Sequence, residues 1–295
     1  MSFDEGAESP VHRLIENVPD GERVTVLLAA FEGWNDAGEA ASDSLKYLHE
    51  LWDGKKVATV DPDEYYDFQF TRPSVRHNTA GARKIKWPTT KIAKASIPGA
   101  NVDVVFIHGR EPSYKWRAYT AELLAHAASL NVNYVVLVGA LLADVPHSRP
   151  IPVTATSDDD ELRERLNLEA SQYDGPIGIV GVLAELALLA GLPTISLWAA
   201  VPHYVAQAPS PKAQLALLNR IEELLQVPFD THELAEDAQA WERGVDELAT
   251  EDPEIAAYVR QLEEAKDTAD LPEASGESIA REFERYLKRR GKDSP

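Results

Sequence analysis

The chain has 295 residues, 44% of them hydrophobic, which suits one large domain with an extension or two modest domains. It contains no cysteine, so disulfides, thiol catalysis and zinc sites built on cysteine are excluded. The net charge is −20, from 49 acidic and 29 basic residues. Because nucleic-acid binding needs lysine and arginine to neutralise phosphates, this charge argues against a nucleic-acid partner and favours solubility or basic partners.

The sequence gives no sign of a membrane segment. We interpret residues 1–20 as an N-terminal tail, and its first ten residues are acidic and polar, unlike a signal peptide. The longest apolar stretches, around 135–142 and 177–192, are too short to span a bilayer or are interrupted by a glutamate and glycines. We therefore expect a cytoplasmic protein with no membrane role.

The predicted α/β core begins with a strand, a turn and a helix. Val24–Ala30 is a short apolar run, typical of a buried strand. A turn containing Gly33 follows. Apolar residues then recur at helical spacing from Ala37 to Leu51, and Asp36 is suited to cap that helix.

Further apolar runs repeat this alternation. Buried strands are predicted at 102–108, at 134–138, where Gly139 ends the strand, and at 194–200, with helices at 114–130, 180–190 and 212–226. Residues 55–97 alternate between apolar and polar side chains, which indicates extra, partly antiparallel strands. The pattern predicts an α/β fold with a mixed central sheet flanked by helices on both faces.

The last part of the chain differs in composition. After Pro228 there are 19 acidic and 9 basic residues, a net charge of −10. Three segments have helical patterns with capping or proline signals at their starts; they are Thr231–Ala249, Pro253–Asp267 and Gly276–Arg290. We accordingly divide the chain into a tail at 1–20, an α/β core at 21–227 and an acidic helical extension at 228–295.

Polar residues follow the predicted strands. Because ligands of α/β sheets bind beyond the carboxyl ends of strands, these residues form a candidate pocket; they are Glu32, Trp34, Asn35, Asp36, His108, Glu111, His147 and His203. The alternative is that they are turn, capping and hydrogen-bonded structural residues. The histidines lack the close spacing of metal ligands, and neither a phosphate loop nor a Gly-x-Ser-x-Gly elbow is present, so we predict no metal and no cofactor and identify no catalytic residue.

An aromatic stretch is a second candidate site. It combines aromatic side chains with arginines, which are enriched where proteins bind each other; the residues are Tyr65, Tyr66, Phe68, Phe70, Arg72 and Arg76. The alternative is that alternate aromatic side chains pack in the core while the others cover a sheet face. The pattern satisfies both interpretations.

Six motifs in order resemble the proteasome assembly chaperone 2 family, especially its actinobacterial members. They are Phe31–Gly38, Asp61–Arg76, Gly109–Pro112, Gly139–His147, Gly178–Gly191 and Val201–Ala206. The resemblance covers about residues 20–225. It implies a phosphorylase/hydrolase-like α/β sandwich, self-association as a homotrimer and a proteasome-related protein partner. Some archaeal relatives dock through a hydrophobic–tyrosine–any-residue tail, whereas this chain has Ser294 at the tyrosine position.

Two functions follow as hypotheses. The resemblance and the missing catalytic signatures favour a protein-binding assembly chaperone or scaffold. The alternative is an enzyme acting on a nucleoside-like or phosphorylated small molecule at the strand ends, which rests on fold analogy.

Overall fold

The computed structural model describes residues 14–15, 22–77 and 81–269. Its strands are β1 Val24–Glu32, β2 Lys55–Thr59, β3 Ser74–His77, β4 Arg83–Lys86, β5 Lys91–Ser96, β6 Val102–Arg110, β7 Tyr134–Ala143, β8 Val153–Thr156 and β9 Thr194–Pro202. Its α-helices are α1 Ala40–Leu51, α2 Pro62–Tyr65, α3 Trp116–Ser129, α4 Asp160–Leu166, α5 Ile179–Leu189, α6 Pro211–Leu225, α7 His232–Glu251 and α8 Pro253–Ala269. Short 3₁₀ turns lie at Ala37–Glu39 and His203–Val205.

The central sheet is mixed, as the sequence predicts. Its seven strands have the order β2-β5-β6-β1-β7-β9-β8. The four in the middle, β6, β1, β7 and β9, are parallel, whereas β2, β5 and β8 pair antiparallel at the two sides. β3 and β4 form a separate two-stranded hairpin. The apolar runs occupy the parallel strands because these are covered on both faces.

Side-chain alternation along β1 divides the core into two layers. Leu28 faces α1 and α6, together with Phe106 of β6. Leu27 and Phe31 face the opposite layer, with Tyr119 of α3 and residues of α5. These side chains are at most 2% exposed, and burying each apolar one contributes about 1.5–3 kcal/mol.

The predicted strand ends were partly wrong. Gly139 does not end its strand, because β7 continues to Ala143. The glycine is needed within the strand, since a Cβ there would lie 2.5 Å from the indole of Trp198 on neighbouring β9. β1, β6 and β9 each also extend two residues beyond the predicted apolar runs, because backbone pairing with the neighbouring strands continues there.

The acidic C-terminal region contributes two described helices. α7 packs on α6, and α8 packs on α7. The predicted helix Gly276–Arg290 lies outside the described residues. In the N-terminal tail, the described Leu14 is 1% exposed, and its backbone N donates to Leu224 O of α6 at 3.0 Å.

Candidate functional site at the strand ends

Four strand ends lie side by side at one edge of the central sheet, which we call the rim. β6, β1, β7 and β9 are parallel neighbours in this order, so their carboxyl ends share that edge. The turn after β1 is fixed to β7 by a hydrogen bond from Ala140 N to Asn35 O, 2.8 Å long. Most of the predicted pocket residues therefore do follow neighbouring strands.

Asn35 and Glu111 meet at the rim. Asn35 is 1% exposed, and its Nδ2 donates to Glu111 Oε1 at 3.0 Å. The same oxygen accepts from Ile179 N at 2.8 Å, at the start of α5, where a helix dipole favours negative charge. Gly178 lies against the Asn35 amide, since a Cβ there would come within 2.3 Å of Oδ1. This arrangement joins β1, β6 and α5 and leaves little room for a ligand.

Asp36 and Glu32 have separate contacts. Asp36 Oδ1 accepts from Ala41 N at 2.9 Å and Ser42 N at 3.0 Å, so it caps the first turn of α1. Burial raises the pKa of Asp36, and its Oδ2 has no hydrogen-bond partner among the described residues. Glu32 lies nearer the surface and pairs with Arg110 at 3.1 Å. The two carboxylates thus do not form a paired acid and base.

His108 lies within β6, two residues before the strand ends, whereas the sequence pattern predicts it as the last residue of the strand. Its ring centroid is 5.3 Å from that of His49 on α1. Burial lowers the pKa of His108 to about 4, and Lys91 and other nearby cations act in the same direction. The imidazole is therefore neutral at neutral pH and belongs to the packing of α1 on the sheet.

His147 connects the rim to α7. It is 1% exposed, with Nδ1 2.7 Å from the Tyr204 hydroxyl and Nε2 3.0 Å from Asp246 Oδ1. Its ring packs edge-on against Trp241, with centroids 6.5 Å apart. Asp246, His147 and Tyr204 are connected in the order of a proton relay. Burial raises the pKa of Tyr204 to about 12, however, which is the opposite of what activation of a nucleophile requires. The chain instead holds α7 against the rim.

His203 and Arg149 connect the core to α8. His203 Nδ1 is 3.2 Å from Asp144 Oδ1, which also accepts from the Tyr258 hydroxyl at 3.1 Å. Arg149 makes a bidentate pair with Asp267, at 2.8 and 2.7 Å. The three predicted histidines therefore serve three separate contacts. Among the residues that the structure describes, no group of three metal-ligating side chains is suited to hold an ion.

Large apolar side chains are exposed along the same rim. We call them the rim patch, and their exposed fractions are Trp34 65%, Tyr173 63%, Leu142 50%, Leu141 44% and Ile177 44%. Sequence reasoning singled out Trp34 and missed the other four. An apolar residue at a strand end or just before a helix has no pattern that separates it from a core residue.

The aromatic stretch is divided between core and surface. Tyr65 and Tyr66 are 7% and 4% exposed, so these two neighbours in the chain both pack in the core. Burial does not alternate here as the second interpretation expects, because Tyr65 is the last residue of α2 and not part of a strand. Phe68 packs on Trp87, with ring centroids 5.0 Å apart. Phe70 is 85% exposed.

Arg72 and Arg76 are both exposed as well. Phe70 and these two arginines are thus the part of the predicted interface that is free to contact another molecule.

The chain matches a known protein family. The PAC2 family model matches residues 30–249, most of the chain. The chain belongs to the PAC2 family. Its resemblance to proteasome assembly chaperone 2 proteins, first visible in the ordered motifs, is thereby confirmed.

Solved structures of PAC2-type proteins are similar to this chain over most of its length. A PAC2 family protein from Streptomyces avermitilis is 51% identical, covers 80% of this chain and 99% of its own, and has a TM-score of 0.75. A proteasome-assembly chaperone homologue from Mycobacterium tuberculosis is 44% identical, covers 79% and 99%, and has a TM-score of 0.72. The fold is shared by PbaB of Pyrococcus furiosus, an archaeal proteasome activator, at 16% identity, 78% and 95% coverage and a TM-score of 0.60.

No curated protein matches the chain. The described residues contain no helix whose length and apolar character would allow it to cross a bilayer.

Proposed function

We propose that this PAC2 protein is a protein-binding assembly chaperone or scaffold of the proteasome-assembly type, and that the rim patch is its partner-binding surface. Family membership and the similarity to a proteasome-assembly chaperone homologue support this role. We choose the rim patch as the binding surface because its aromatic residues are exposed to solvent.

The chemistry of the rim supports binding better than catalysis. The carboxylate of Glu111 and one oxygen of Asp36 are already used by backbone and side-chain donors within the chain. Trp34, in the same turn as Asp36, and Tyr173, in the segment before α5, expose their side chains to solvent. Aromatic residues surrounded by apolar neighbours are the usual anchors of protein interfaces.

We further propose a cytoplasmic location, consistent with the absence of cysteine, and self-association as a homotrimer. In this proposal, residues 21–227 form the α/β core. Residues 228–295 form a helical extension, held to the core through Asp246 and Asp267.

The partner-binding role can be tested with purified proteasome α-subunits from the same organism. Binding to the full chain is measured by biolayer interferometry, for the wild type and for Trp34→Ala combined with Tyr173→Ala. Removing two aromatic anchors is expected to weaken binding about 30-fold or more, corresponding to about 2 kcal/mol.

Leu189→Ala is the matched control. Leu189 is 80% exposed at the last residue of α5, at the opposite end of that helix from Ile177. It should leave binding unchanged. If the wild-type chain does not bind α-subunits, the proposed partner is wrong. If Leu189→Ala weakens binding as much as the double variant does, the rim patch is not the binding surface.

A further inference from the structure

A strongly basic segment stands out on this acidic protein. Residues 71–91, which contain the β3–β4 hairpin, carry six lysines and arginines and no acidic residue, although the whole chain has a net charge of −20. Five of the six are exposed, and none makes an ion pair with a described residue. They are Arg72, Arg76, Arg83, Lys84 and Lys86. We call the described residues 71–77 and 81–91 the basic hairpin.

The basic hairpin also exposes apolar area. Val75 and Ile85 are paired across the two strands and are 49% and 53% exposed. Trp87 is 46% exposed. Both hairpin strands are exposed along their whole length. A two-stranded hairpin is marginal by itself in water, so burial against a second surface would stabilise it.

A complementary surface exists on α7. This helix carries seven acidic residues and one basic residue. At helical spacing, Glu233, Asp237, Glu247 and Glu251 fall on one stripe of the helix, and all four are exposed without an ion pair to a described residue. Leu248, 60% exposed, adds an apolar contact beside them. We call these five residues the acidic stripe.

The two surfaces lie at opposite halves of the sheet. The basic hairpin leads directly into β5, and its base is fixed near β6 by the bond from the Tyr66 hydroxyl to Arg110 O, 2.9 Å long. α7 packs on α6, which in turn packs on β9 and β8. β1 and β7 lie between these halves. One copy therefore offers both surfaces in different places, which is the requirement for a head-to-tail contact between copies.

Long-range electrostatics favour the same pairing. Two copies that each carry a charge of −20 repel one another. A local contact between opposite charges offsets this repulsion, and the basic hairpin is the densest run of unpaired cations on the described surface.

We propose that the basic hairpin of one copy docks on the acidic stripe of a second copy, in a head-to-tail contact that closes into a ring. This rests on the self-association in the proposed function and names its surfaces. The hairpin strands run along the stripe, so that the face bearing Arg76, Lys84 and Lys86 meets Asp237 and Glu247. Val75 and Ile85 lie on the opposite face of the hairpin, because side chains alternate along a strand, and this contact does not cover them.

Charge reversal on the full chain tests the proposal, with mass measured by light scattering in low salt and in roughly 0.5 M salt. One variant combines Arg76→Glu with Lys84→Glu, two residues that are paired across the hairpin. A second combines Asp237→Lys with Glu247→Lys. Each is expected to raise the dissociation constant of self-association at least about 100-fold, because like charges then face each other. High salt should weaken the wild-type assembly.

Rescue distinguishes a direct contact from general damage. A variant that carries all four substitutions should assemble again, since the hairpin and the stripe have then exchanged charges and every interface in the ring joins opposite charges. Lys56→Glu with Arg117→Glu changes the net charge by the same amount at exposed sites elsewhere and should leave assembly unchanged.

Three results would overturn the proposal. Assembly of the hairpin variant as tightly as the wild type would do so, as would a failure of the variant with all four substitutions to assemble. A wild-type chain that is monomeric throughout would overturn self-association as well, whereas binding to α-subunits through the rim patch is measured separately and can still hold.

Discussion

Acidification should destabilise the fold through His108. The pKa of this imidazole is lowered from 6.5 to about 4, first by burial and then by the charges of Lys91, His49, Lys46 and Lys86. The unfolded chain therefore binds a proton at a higher pH than the folded chain does. The stabilising effect is fully present above pH 6.5 and is lost as the pH falls towards about 4.

The magnitude follows from these two values. Between about pH 7 and pH 5 the difference in proton binding corresponds to about 2 kcal/mol of unfolding free energy. His108 is half-buried, so solvent screening reduces the expected effect to about 1 kcal/mol. His108→Gln keeps a polar side chain at the site without a group that titrates in this range. The unfolding free energy of the His108→Gln variant should therefore fall less between about pH 7 and pH 5 than that of the wild type.

Urea unfolding followed by far-ultraviolet circular dichroism at the two pH values measures the effect. The quantity of interest is the change in unfolding free energy between them, compared between wild type and variant, so that all other titrating groups cancel. His77→Gln removes an exposed histidine of β3 as a control and should behave as the wild type. If the unfolding free energies of the wild type and of His108→Gln fall by the same amount on acidification, the claim that His108 stays neutral in the folded chain is refuted.

Two further predictions concern buried contacts. Tyr66→Phe should lower the unfolding free energy by about 1–3 kcal/mol, because the hydroxyl bonds Thr90 Oγ1 at 2.8 Å and Arg110 O at 2.9 Å out of reach of water; an unchanged urea midpoint would contradict this. Gly139→Ala should lower the unfolding free energy by about 1–3 kcal/mol and lower the melting temperature, because the added Cβ overpacks against Trp198. An unchanged melting temperature would show that β7 and β9 move apart easily to admit the methyl group.

The two sets of candidate residues show where sequence patterns stop being decisive. The alternation in the stretch from Tyr65 to Phe70 is compatible with either face being buried. Only the packing of Tyr65 against Tyr119 on α3, with centroids 5.1 Å apart, decides that Tyr65 is inside and Phe70 outside. The basic hairpin was within reach of the sequence, since its charge run is visible there, but only two of its arginines were singled out.

Local chemistry alone determined much of this protein. Apolar runs of strand length, helical spacing and capping residues predict β1, β6, α1 and α6 closely, because backbone hydrogen bonding and burial act over neighbouring residues. The order of the strands and the meeting of Asn35 with Glu111 were decided by tertiary structure. The same is true of the placement of basic hairpin and acidic stripe on opposite halves of the sheet. These depend on contacts between residues far apart in the chain, whose partners no local pattern specifies.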